Sequence, residues 1–139
     1  MNKYSISTDK QKLDLELIFK FLSERSYWAK GRSKEVVRLS IENSLCFGVY
    51  NQANEQIGFA RVVTDYAVFA YLMDVFVLEN YRGHGIGKQL METIMGHPEI
   101  QHLQRIMLAT ADAHGLYSQF GFKITAIPDK LMEIVNHPC

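Results

Sequence analysis

One stretch changes its hydrophobic period part-way, and that change constrains the architecture more than any other feature. Residues 71–95 read YLMDVFVLENYRGHGIGKQLMETIM. Leu72, Val75, Phe76, Val77 and Leu78 form a run rich in β-branched and aromatic side chains, which predicts a buried strand. Ile86, Leu90 and Ile94 then recur every four residues with Met91 and Met95 beside them, which predicts an amphipathic helix. The switch happens across Arg82-Gly83-His84-Gly85-Ile86-Gly87, with three glycines in five positions.

Glycines at a helix start let a ligand approach bare backbone. The first N–H groups of the helix have no partner within it and point outward. The helix dipole adds partial positive charge there, so the place suits a phosphate. Arg82 and Lys88 add formal charge. The Walker pattern fails, because Gly87-Lys88 is followed by Gln89 and Arg82 stands at the first glycine position. The Rossmann fingerprint fails as well, because Gly83 and Gly85 are followed by Lys88 at its third position. What fits is R-x-x-G-x-G, formed by Arg82, Gly85 and Gly87.

A second motif lies downstream. Residues 112–122 read DAHGLYSQFGF, ending in Y-x-x-F-G-F from Tyr117 to Phe122. The two motifs, in this order and spacing, resemble the pyrophosphate loop and the following acceptor-proximal helix and strand of the GNAT superfamily of acyl-CoA N-acyltransferases. The resemblance covers residues 45–125 well and the N-terminal part weakly.

The resemblance implies an α+β fold: a mixed, mostly antiparallel central sheet of about six or seven strands, about four flanking helices, and one splayed parallel strand pair. It implies acetyl-CoA as cosubstrate. The backbone of Val75, Phe76 and Val77 would meet the pantetheine arm, with an N–H near Val77 polarising the thioester carbonyl. Arg82, Gly83, His84, Gly85, Ile86, Gly87 and Lys88 would hold the pyrophosphate, with Asp112 and Tyr117 also on the cofactor side. Tyr117 would protonate the departing thiolate. Many relatives carry a glutamate just before the strand aspartate, but here that position is Met73 and only Asp74 remains. Strand side chains alternate faces, so Asp74 replaces that glutamate only if a local bulge changes the parity. Two roles stay open for it: acting directly as base, or holding the adjacent loops. Asp65, Tyr66, Glu79 and His114 are lesser candidates. Trp28, Arg32, Asp65 and Tyr71 are the candidates for the acceptor side.

With 139 residues, 47% of them hydrophobic, the chain fits one domain, 1–139, with a substantial core. The 15 basic and 15 acidic residues cancel, so charge favours neither nucleic acid nor an anionic membrane as partner. No apolar run reaches the length of a membrane span, and MNKYSISTDK has no apolar signal core, so a cytoplasmic location is expected. Cys46, within an apolar run, reads as a small core residue. Neither it, Cys139 nor the five histidines have metal-ligand spacing, and no metal is expected.

Elsewhere, Tyr4–Ser7 reads as an edge strand. Thr8 to Gln11 has capping-box form before a helix running to about Ser26. Residues 27–32, YWAKGR, place two aromatics and two cations in one loop. Its rings either pack on the core or wall an acceptor cleft. Ser33 caps a second helix, with Val36, Val37, Ser40 and Ile41 expected inward. Strands follow at 45–50, 56–64, 67–78 and 105–110. After them come a helix at 113–120 and strands at 122–126 and 131–135.

Three functions are compatible with these features. The first is acetyl transfer to the primary amine of a small or amino-acid-like acceptor, for which the loop at 27–32 and Arg61 suggest some acidic or aromatic character. The second is a CoA-binding or partner-binding module without turnover. The third, disfavoured by the failed nucleotide motifs, is an ATP- or NAD-binding regulator. Exposed edge strands often pair between chains, which makes a homodimer an expectation.

Overall fold

The computed structural model describes residues 3–136. His137 and Cys139 lie outside the described residues. One five-stranded sheet runs in the order β1 (Ser5–Ser7), β2 (Leu45–Tyr50), β3 (Gln56–Thr64), β4 (Phe69–Val77) and β5 (Arg105–Leu108). Neighbours are antiparallel except β4 and β5, which are parallel. Helices α1 (Leu15–Lys20) and α2 (Lys34–Glu42) cover one face, and α3 (Ile86–Met95) and α4 (His114–Ser118) the other. The fold is the expected α+β arrangement with a lower strand count.

The difference lies at the C-terminus. Residues 122–126 and 131–135 were expected as strands, but no strand forms there. A strand is held by packing of at least one face, and beyond Phe122, which packs on the core, these segments are largely uncovered. Ile124 and Ile134 are largely exposed, and Met132 is 97% exposed. Residues 122–127 instead line a cavity of ≈ 410 Å³ against Met95, Leu103 and Ile106, at the outer edge of β5.

The first helix also starts later than the capping box predicts. Asp9 accepts from the Gln11 N–H at 2.9 Å and closes a 3-10 turn over Lys10–Lys12. The Asp14 N–H then donates to Gln56 Oε1 at 2.7 Å, tying the chain to β3, and the Asp14 carboxylate caps α1 by accepting from Leu17. A long-range bond thus resets a locally favoured start. α1 runs on as a π-helical turn over Phe21–Arg25 and stops before Ser26. Ser33 caps α2 as expected, but Val36 faces solvent.

The two cores expose an irregularity in β4. Ala70 and Leu72 pack with Ile86, Leu90 and Met91 of α3. Phe76 packs with Ile18, Phe21 and Val37 of α1 and α2. Four residues apart on a regular strand, Leu72 and Phe76 would share a face. They do not, because Arg61 pairs with Met73 while Phe59 pairs with Phe76, leaving an extra residue in β4. Asp74, with φ 55°, occupies this bulge.

Candidate functional site

The bulge sets the direction of every side chain around it. Before it, Met73 faces the α1/α2 side; at it, Asp74 faces the same way; beyond it, Val75 and Val77 pack toward α3. The β4–β5 pairing ends at Leu72 and Leu108, so from Met73 onward β4 has no strand partner on that edge. The parallel pair splays here, as the resemblance implies. The Leu78 N–H bonds to the Ile57 carbonyl, so by alternation the backbone of Phe76 faces β3 and that of Val75 and Val77 faces the gap. Phe76 is turned away from the gap, its ring stacked on Phe21 at 4.0 Å.

Just past the strand, a 3-10 turn over Glu79–Tyr81 leads into the glycine loop. Gly83 and Gly85 have φ of 83° and 76°, where a side chain is strained. Gly85 is the N-cap of α3 and accepts the first helical bond, from Gln89. The N–H groups of Ile86, Gly87 and Lys88 therefore have no carbonyl one turn back. No Cβ crowds the approach: space around Gly83 and Gly85 is open. Arg82 donates from Nε to the Val77 carbonyl at 3.0 Å, pinning the loop to the strand, and His84 Nδ1 lies 3.0 Å from the Tyr81 carbonyl. Gap and loop together fit an extended thiol arm ending in a pyrophosphate. Among the described residues, no group of three or more His, Cys, Asp or Glu is placed to hold a metal.

Tyr117, on α4, is 9% exposed and packs edge-on against Phe122 with ring centres 6.0 Å apart. Burial is the main cause that pushes its phenol pKa up, helped by the nearby Tyr27 and Asp112. A phenol is already protonated at neutral pH, and the upward shift moves its deprotonation further away, so Tyr117 holds a proton to donate. The Tyr27 hydroxyl accepts from the Ala111 N–H at 3.3 Å, so the 27–32 loop reaches across to the segment that leads into α4.

On the other face, Asp74 is buried and its carboxylate is occupied. Trp28 Nε1 donates to Oδ1 at 2.9 Å; Arg32 Nη1 and Arg61 Nε donate to Oδ2 at 3.0 and 2.8 Å. Arg61 continues to Ser44 Oγ at 3.1 Å and lies 3.4 Å from Met73 Sδ. Of the two roles left open for Asp74, this geometry favours holding the loops. Trp28 and Arg32 come together with it. By strand parity Tyr71 projects from the same face. Asp65 does not join them. It sits in the β3–β4 turn, where Oδ1 accepts from the N–H groups of Ala67, Val68 and Phe69. Those bonds, Val68's first, lower its pKa to about 2. Asp112, Glu79 and His114 are exposed.

Sequence reasoning assigned no site role to Ser44 and gave neither Tyr27 nor Arg61 a partner. The signal for Arg61 was a cation inside an apolar strand, which needs a buried partner. Nothing local marked Ser44. Cys46 is buried as expected, and burial pushes its thiol up to about 11.

A model of the acetyltransferase (GNAT) domain matches residues 42–124. A Xanthomonas campestris structure assigned to the same family is 47% identical with TM-score 0.94, over 97% of this chain and 94% of its own. A Gibberella zeae protein assigned as an acetyltransferase is 30% identical over 84% of this chain and 76% of its own length. A GNAT family acetyltransferase from Elizabethkingia anophelis, solved with acetyl-CoA bound, shares the fold with TM-score 0.67 at 16% identity, over 99% and 90% of the two chains.

Proposed function

The chain belongs to the GNAT family of acetyltransferases, and from that premise we propose that it transfers the acetyl group of acetyl-CoA to the primary amine of a small acceptor by direct attack in a ternary complex. The observation that carries this reading is the splay of β4 from β5 at the bulge, continuous with the unpartnered N–H groups at the start of α3.

Acetyl-CoA supplies an acyl carbon activated as a thioester. The N–H groups of Gly83 to Lys88, with Lys88 and Arg82 beside them, bind the pyrophosphate. Val75 and Val77 pair with the arm as an added strand would. The Val77 N–H donates to the carbonyl oxygen as negative charge develops there, a contribution of about 3 kcal/mol in related chemistries. The amine nitrogen bonds to the acyl carbon and the carbon–sulfur bond breaks. Tyr117 gives its proton to the leaving sulfur, and its phenolate recovers one from solvent, which also takes the proton lost by the amine. Asp74 acts as a positioning residue, joining the bulge to the 27–32 loop. With its carboxylate occupied, the amine arrives neutral or loses its proton to water.

No helix of the described chain is long and apolar enough to cross a membrane. The proposal includes a cytoplasmic location and no nucleic-acid or membrane partner; the balanced charge supports the latter. It also includes a homodimer, for which the edge strands of the sheet, β1 and β5, are the candidates to pair. A solution mass of twice 16.0 kDa is the expected result.

Calorimetry with acetyl-CoA is the test, comparing wild type with Lys88→Glu and Gly85→Glu. Wild type is expected to bind in the micromolar range, on the order of 8 kcal/mol, with both folded variants much weaker. Equal binding by all three would refute the loop as a CoA site. Binding by wild type without turnover on any amine would identify the non-catalytic module instead.

A further inference from the structure

The network at the bulge is not electrically balanced. Two guanidiniums, Arg32 and Arg61, meet one carboxylate, Asp74. Among the described residues no second carboxylate pairs with either. Met73 and Ser44, the other groups touching Arg61, are neutral. One positive charge is left over in a place largely shielded from water.

The two arginines differ in what they have left to give. Arg61 is 8% exposed, and Nε, Nη1 and Nη2 each have a protein partner. Arg32 uses only Nη1; its Nε and Nη2 meet no acceptor among the described residues, and its side chain is 19% exposed. A guanidinium held along one edge presents the other as a fixed fork, the geometry that receives a carboxylate or phosphate through two parallel bonds. Asp74 holds it in place. Trp28, on the same carboxylate, forms the adjacent wall. About three strand steps, roughly 10 Å, separate Asp74 from Val77 along β4.

We propose that Arg32 binds an anionic group of the acceptor, so that the amines this enzyme takes also carry a carboxylate or a phosphate. The inference rests on the acetyl-transfer reading for the word acceptor, but the anion site stands or falls by itself. Bound there, the anion supplies the missing counter-charge, and the amine is oriented toward the gap between β4 and β5. Specificity follows from the same imbalance: a neutral amine leaves the fork unfilled, whereas a second cation would be repelled.

Trp28 is the single tryptophan of the chain, so its fluorescence reports this site directly. The experiment titrates wild type with β-alanine and O-phosphoethanolamine, and with β-alaninamide and ethanolamine as neutral matches. A saturable change with the anionic probes alone is expected, and the stronger of the two names the preferred group. Arg32→Gln should abolish it. Arg32→Lys keeps the charge toward Asp74 but loses the fork, so it should melt near wild type and bind about tenfold more weakly. In turnover with saturating acetyl-CoA, the kcat/KM ratio of β-alanine to β-alaninamide should exceed about tenfold, one bidentate ion pair's worth, and fall to near one in Arg32→Gln, with acetyl-CoA affinity unmoved. Equal responses to neutral and anionic probes, or wild-type anion binding in both variants, would overturn the proposal. Arg32-dependent binding without acetylation would leave the anion site intact and sink the transfer reading instead.

Discussion

The glycine loop and the 27–32 loop flank the same strand end but are built on opposite principles. The first works through backbone. Its N–H groups are exposed because a helix starts there, and its glycines keep the approach open. All of its parts lie within a few residues. The second works through side chains whose partner is remote: Trp28 and Arg32 are 46 and 42 residues from Asp74. A backbone site announces itself in local spacing, whereas a side-chain site exists only once the sheet has formed.

The largest effect should come from removing the shared carboxylate. Asp74→Ala leaves the buried Arg61 and the half-buried Arg32 without their counter-charge and should cost about 3–5 kcal/mol, read by urea denaturation. A loss under about 1 kcal/mol, the range of an exposed pair, would mean the 27–32 loop is held by something else. Next, Tyr117→Phe should lower kcat by about a hundredfold or more while leaving the melting temperature near wild type. In the wild type, kcat should hold through neutral pH and fall only above pH ~10, because burial raises this phenol. Unchanged turnover in the variant would reduce Tyr117 to a packing residue. Gly83→Ala is smaller again: a left-handed residue with a side chain costs roughly 1–2 kcal/mol, and any larger drop in acetyl-CoA affinity would measure how closely the ligand approaches the backbone.

The smallest effect contrasts two aspartates. Asp65 is held below the usual carboxylate range, at about 2, by its turn N–H groups. A lowered folded pKa gives stability that is complete above the unfolded value and is lost as the group protonates. For Asp65 that loss runs from about pH 4 down through pH 2. Asp65→Asn should flatten this limb of the stability curve without touching turnover. A change in turnover would return Asp65 to the acceptor site.

The same contrast separates what is legible in the sequence from what is not. Leu45–Tyr50, Gln56–Thr64 and Ile86–Met95 fall where the sequence pattern puts them, because the strands are buried on both faces and the helix on one, against layers the rest of the chain supplies. The glycine loop at the start of α3 was legible for the reason given above. The start of α1 was not, because Gln56 reaches it from another strand. The C-terminal strands were misread because apolar alternation states a need for cover without showing that any exists; Met132 and Ile134 have the pattern and no layer. The direction of Asp74 depended on a parity that sequence leaves undetermined, and one residue at φ 55° set it.

That residue separates two kinds of change. Substitutions upstream of it, at Tyr71 or Met73, alter the α1/α2 face that carries Asp74, Trp28 and Arg32, whereas those at Val75 or Val77 alter the packing against α3. Most strands tie their two faces together, since inserting or shifting one residue reverses both. Here the reversal is already built in at one point. Side chains around Arg32 can therefore be exchanged on one face while the face that packs on α3 stays as it is, and on the proposed function that would let acceptor preference drift without disturbing the delivery of the acetyl group.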